Sequence, residues 1–154
     1  MSEDVLKVKG SFRLNIVDTD GTIVGDSGWV ENQIANLGFR DYLCRTLGAI
    51  SGSAQVSHMA LGSGGLINAT DTTLGGEVVK RAAVTAATSS TSKAVQFTAT
   101  FDSTASFVTS TQNISNIGLF NSSSTGTLFS GNTFASSSCA SNQVVNCTYV
   151  VSFT

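Results

Sequence analysis

From Val145 to Phe153 the bulky side chains Val145, Cys147, Tyr149, Val151 and Phe153 stand two apart, with Asn146, Thr148, Val150 and Ser152 between them. Successive side chains of an extended strand point to opposite faces, so this spacing gives one apolar and one polar face and predicts a strand set deep in a sheet. The same two-residue rhythm runs through VKGSFRLNIV, where Val8, Phe12, Leu14 and Ile16 share a face. Further extended segments are VSHMALGSG, EVVKRAAVTAA, KAVQFTATFD, NISNIGLFN and TGTLFSGNTFA, split by TSSTS, STASF, SSST and SSSCASN. There is no proline, so the 15 glycines, with Asn, Asp and Ser, must make every chain reversal.

One segment breaks the rhythm. Between Asn32 and Ile50 the apolar residues Ile34, Leu37, Leu43, Leu47 and Ile50, with Phe39 beside them, recur at helical spacings. This predicts one helix over about residues 36–50, with Asn36 as its N-cap and Asp41 and Arg45 paired across one turn of an exposed face. The fold class expected is therefore mainly β: an antiparallel β-sandwich or jelly-roll-like domain carrying one α-helix. Residues 10–154 form the single β-rich domain, and residues 1–9 precede it as an N-terminal arm. GGLINATDTTLGG reads as a long polar loop.

Only 12% of the 154 residues are charged, about half the usual share, and polarity comes instead from Ser and Thr. A surface so weakly self-repelling suits a protein that packs against copies of itself. Eight Lys and Arg residues, scattered along a chain of net charge -2, supply no basic face for phosphate contacts, so no nucleic-acid partner is expected. The N-terminus MSEDVLKVKG lacks the apolar core of a secretory signal, and no run approaches the ~20 apolar residues of a membrane span. The expectation is a protein made in a cytoplasm, with no membrane partner.

The stretch LNIVDTDGTIVGDSG raises the question of catalysis. Its strand-then-DxDGT pattern resembles the first motif of the haloacid-dehalogenase-like phosphohydrolases, which would make Asp18 the nucleophile and Asp20 the general acid. That chemistry also needs a lysine and a paired acidic motif for Mg²⁺ at the ends of parallel strands. The later acidic residues, Asp26, Glu31, Asp41, Asp71, Glu77 and Asp102, make no such pair. An EF-hand loop fails as well, because Ile23 and Val24 stand where ligands should follow. Asp-x-Asp-Gly between apolar strands reads instead as a hairpin turn.

The remaining candidates are single residues. His58 is the only histidine, and Ser57 precedes it; on one strand the two should point apart, which leaves His58 a partly buried, hydrogen-bonded residue. GSGG, Gly62–Gly65, lacks the Lys-Ser/Thr and helix start of a phosphate loop and reads as a flexible turn. Cys44, Cys139 and Cys147 form no CxxC. Cys44 reads as a small apolar residue on the helix, and Cys139 and Cys147 as a reduced pair. No metal or cofactor is expected. Trp29, beside Gly28 and Val30, is read as a core anchor, with an interface hot spot as the alternative.

Taken in order, these features resemble the small virion structural proteins of tailed bacteriophages, particularly head decoration (cement) proteins. The resemblance rests on the early hairpin, on WVENQIANLGFRDYLCRTL with its N-x-I-x-x-x-G opening, on HMALGSGG followed by ATDTTLGGEV, and on NISNIGLFNSSSTGTLFSGNTFA before a closing apolar strand. It covers about Lys9 to Thr154. It implies a non-enzymatic, often trimeric domain on the capsid exterior that clamps neighbouring major capsid protein subunits. Tail-fibre, collar and baseplate modules share these phrases, which keeps a tail-associated or receptor-binding module as the alternative. Within the arm, the apolar Val5, Leu6 and Val8 are the candidate capsid or subunit contacts.

Overall fold

The computed structural model describes residues 6–88 and 91–154. Eleven strands run β1 (Val8–Val17), β2 (Ile23–Asp26), β3 (Val30–Glu31), β4 (Gln33–Ile34), β5 (His58–Gly62), β6 (Ala82–Ala83), β7 (Thr85–Ala87), β8 (Ala94–Phe101), β9 (Gln112–Phe120), β10 (Leu128–Cys139) and β11 (Val144–Phe153). They form two antiparallel sheets. One has the order β2-β1-β11-β8-β7, with β3 also on β1; the other has the order β4-β10-β9-β5-β6. The expected mainly β, antiparallel, sandwich-like architecture is what the chain adopts, whereas this strand order does not by itself establish a jelly-roll winding.

Both sides of the sandwich are closed by strands that change sheets. At Asn32 the chain steps from β3 on the first sheet to β4 on the second, and at Val84 it steps back from β6 to β7. Bends of this kind make the corners where one sheet passes into another, and they leave little open edge. The segment EVVKRAAVTAA, expected as one strand, is this second corner, and only its latter half is extended.

The closing strand fulfils its rhythm. β11 lies between β1 and β8, in unbroken register with β1 from Val8 opposite Phe153 to Val17 opposite Val144. Val145, Cys147, Tyr149 and Val151 are buried in the space between the sheets. They meet Phe12, Leu14 and Ile16 of β1, Phe97, Ala99 and Phe101 of β8, and Met59, Leu61, Ile117, Leu119 and Phe129 of the second sheet in one cluster. Phe12 stacks on Tyr149 at 5.6 Å between ring centres and meets Phe134 edge-on. Each such side chain contributes about 1.5–3 kcal/mol through burial.

Residues 63–77 depart from expectation. The long loop folds over the outer face of the second sheet, where Ile67 and Leu74 are buried with Ala35, Ala60, Phe120 and Leu128 in a second apolar cluster. The second sheet is therefore apolar on both faces. Its outer layer is supplied by a loop whose two buried residues carry no periodic signal.

The helix also differs. The helical segment is π-wound over Gly38–Cys44 and continues as one α-turn, Arg45–Leu47. A wider turn shifts the inward face away from the 3.6-residue prediction. Tyr42 and Asp41 turn inward, while Leu47 is 92% exposed and Ile50 56% exposed. Asn36 makes no side-chain cap, its backbone N–H donating to Ala69 O. Asp41 does pair with Arg45, at 3.5 Å, but as a buried carboxylate that also takes two bonds from Arg40. Those bonds hold Asp41 below the usual carboxylate range. Cys44 is exposed rather than packed, and Cys139 and Cys147 are both buried and free.

The expected arm is shorter than residues 1–9. Val8 and Lys9 belong to β1, and Lys7 exchanges both backbone hydrogen bonds with Thr154. Val8 is partly buried and packs against the core as part of the sheet.

Candidate functional site

The sequence offered chemistry at three places. At the first, Asp18 to Thr22 closes the β1–β2 hairpin: Gly21 N donates to Asp18 O at 2.9 Å and Asp18 N to Thr22 O at 2.8 Å. This is a type I turn followed by Gly21 at φ +86°, the three-residue hairpin loop. Asp18 Oδ1 accepts from Thr19 N and Asp20 Oδ1 from Thr22 N. The Thr22 backbone N–H, then its hydroxyl, hold Asp20 below its ordinary value. A general acid needs the opposite shift. Both carboxylates serve the turn, as the local pattern predicted.

At the second place, Ser57 and His58 do meet, contrary to expectation: Ser57 Oγ lies 2.9 Å from His58 Nδ1. The alternation rule fails because Ser57 stands just before β5 begins. Beside them, Arg81 is fully engaged. Its side chain is 5% exposed; it takes Glu77 in a fork, Nε to Oε1 at 2.5 Å and Nη2 to Oε2 at 3.1 Å, and donates to Ser122 O and Thr125 O. Its guanidinium sits 3.6 Å above the Phe120 ring. Burial, then the Arg81 charge, lower the His58 pKa from its ordinary value. The fork occupies Glu77, so that carboxylate does not orient the histidine as the third group of a nucleophilic site would. The cluster is a clasp between the segment 77–81 and the loop 121–127. Sequence reading missed Arg81, whose two carbonyl partners come from a distant loop.

At the third place, Gly62–Gly64 is no cradle. Ser63 N and Gly64 N donate to Gly76 O and Gly75 O, extending the β5 ladder outward. A Cβ on Gly64 would lie 2.5 Å from Gly75 O, so backbone approach, not a ligand, requires the glycine. Among the described residues, no group of three or more His, Cys, Asp or Glu side chains gathers where a metal could be held.

What the surface does present is apolar. An open apolar groove of about 200 Å³ lies between the sheets, beneath the helical segment. Tyr42, Leu43, Val56, Phe97, Phe129 and Phe153 line it. Tyr42 meets Phe129 edge-on at 5.0 Å and its hydroxyl donates to Thr127 O; Ala54 N donates to Asp41 O, fastening the loop that forms the outer wall. Leu47, next in sequence to the groove-lining Thr46, and Ile50 are exposed. Ile23 and Val24 on β2, at the edge of the first sheet, and Trp29 just before β3 are each more than half exposed. Trp29 is thus on the surface, not in the core as expected. Of the expected arm contacts, Val5 lies outside the described residues and Leu6 is 69% exposed.

The chain matches no protein-family model, no curated protein and no solved structure.

Proposed function

We propose that this chain is a non-enzymatic structural protein of a tailed-phage virion. It decorates the outer surface of the capsid as a homo-oligomer, with a trimer favoured, and holds neighbouring major capsid subunits together. The observation that carries this reading is the set of large apolar side chains left more than half exposed, Ile23 and Val24 on the edge strand β2, Trp29 before β3, and Leu47 and Ile50 at and after the end of the helical segment, on a surface with few charges. Such groups favour protein contact. A decoration protein sums many modest contacts over a lattice, so it needs faces of this kind rather than one tight pocket. β2 ends the first sheet, and its outer side is suited to pairing with a partner's strand.

A tail-associated module is the second reading, favoured by one observation: Leu66 is 71% exposed on a loop anchored at both ends by buried Ile67 and Leu74. Imaging empty phage shells after mixing with the purified protein separates the two. Ordered density in hundreds of copies, lost in Trp29→Ser, supports decoration. No density on any shell, with binding to isolated tails, supports the second reading.

A further inference from the structure

We infer that the groove beneath the helical segment receives Leu6 from a second copy of the same chain. The groove and the chain's point of departure lie at the same end of the sandwich. Phe153 lines the groove, Val8 is its register partner on β1, and Lys7 still exchanges both backbone bonds with Thr154. The ladder therefore holds the chain in strand direction through Lys7 and carries Leu6 past the end of the sheet. Leu6 is 69% exposed there, so it does not fill its own groove. A side chain two residues beyond Val8 can reach the matching groove of a neighbour without reversing the strand.

The receiving surface has the size and chemistry for such a side chain. A cavity of ~150 Å³ lined by aliphatic and aromatic groups accepts a molecule as large as benzene, and this one offers about 200 Å³. Because the donor Leu6 and the acceptor groove are different surfaces of one molecule, the contact is heterologous, and copies joined by it close into a ring when the rotation permits. This deepens the reading of the protein as a homo-oligomeric decoration module and rests on it only for the expectation of a homo-oligomer.

Cysteine pairing on purified protein, with no shells present, tests it. In a Cys44→Ser background, which removes the exposed native thiol, one chain carries Leu6→Cys and another Thr46→Cys, a groove-lining position. Mixed under mild oxidation, the two should give a disulfide-linked species of twice the chain mass that neither gives alone in comparable yield. Leu6→Asp should reduce the mass of the native protein in solution to that of one chain, with the circular dichroism spectrum of the parent unchanged. A bridge formed within single chains that carry both Leu6→Cys and Thr46→Cys would place Leu6 in its own groove and overturn the inference. A parent that is monomeric at every concentration, or an oligomer indifferent to Leu6→Asp, would overturn it as well. Shell imaging remains a separate measurement, so failure of the arm contact and failure of the decoration reading are told apart.

Discussion

Gly21 carries a burden that its neighbours do not. Its φ of +86° lies where side chains crowd the backbone, and nothing else stands within 4 Å of a Cβ built there, so the whole cost of a substitution is local strain. Gly21→Val should lose about 1–2 kcal/mol, read as a lower denaturant midpoint with an unchanged slope. Asp18→Asn should stay within about 0.5 kcal/mol, because an amide oxygen can still accept from Thr19 N. His58 adds a pH dependence. Its pKa in the folded chain lies below the ordinary 6.5, so the unfolded chain binds the proton more readily. The stability this gives is complete above pH 6.5 and is lost as pH falls through the folded value. Arg81 faces the ring with its charge already bound to Glu77, and a second cation beside it is unwelcome. His58→Gln should flatten the change in melting temperature across that window. The turn was legible in the sequence because Asp-x-Asp-Gly decides its own backbone. The Ser57–His58 contact was not, because it depends on where β5 begins.

Elements succeed or fail here by what packs on them. β11 and β1 were readable as strands because both faces of each obey the two-residue period, and their shared register follows from burying one face. The helical segment kept its place and not its winding. Packing Tyr42 against Phe129 and burying Asp41 between Arg40 and Arg45 rotate it away from a 3.6-residue stripe. Leu47 and Ile50, expected to face the core, end exposed instead. The loop 121–127 has almost no apolar content, yet Arg81 fixes it through two carbonyls. Arg81→Met should cost about 3–5 kcal/mol, since it leaves Glu77 partly buried without its partner. Urea denaturation measures this. Arg81→Lys should recover only part of the loss, because an ammonium cannot make the fork.

Across the whole molecule the two sheets are pinned by a polar contact as well as by the apolar core. The Tyr149 hydroxyl, on β11 of the first sheet, lies 2.8 Å from Ser130 Oγ on β10 of the second and accepts from Asn32 Nδ2 at the corner between β3 and β4. Tyr149 and Ser130 are fully buried. Tyr149→Phe removes one oxygen and leaves buried Ser130 and half-buried Asn32 short of a partner, so it should cost about 1–3 kcal/mol in thermal or denaturant unfolding. By itself the sequence determined the class of the fold, the DxDG hairpin and the inward face of the closing strand, since each is set by dihedral preference and alternation within a few residues. Tertiary structure alone decided that Trp29 faces solvent, that the loop 63–77 forms a second apolar layer, and that Tyr42, Phe129 and Phe153 surround one groove. Those outcomes depend on which distant segments meet. The contacts that hold them are made between residues tens of positions apart, where no local period carries a signal.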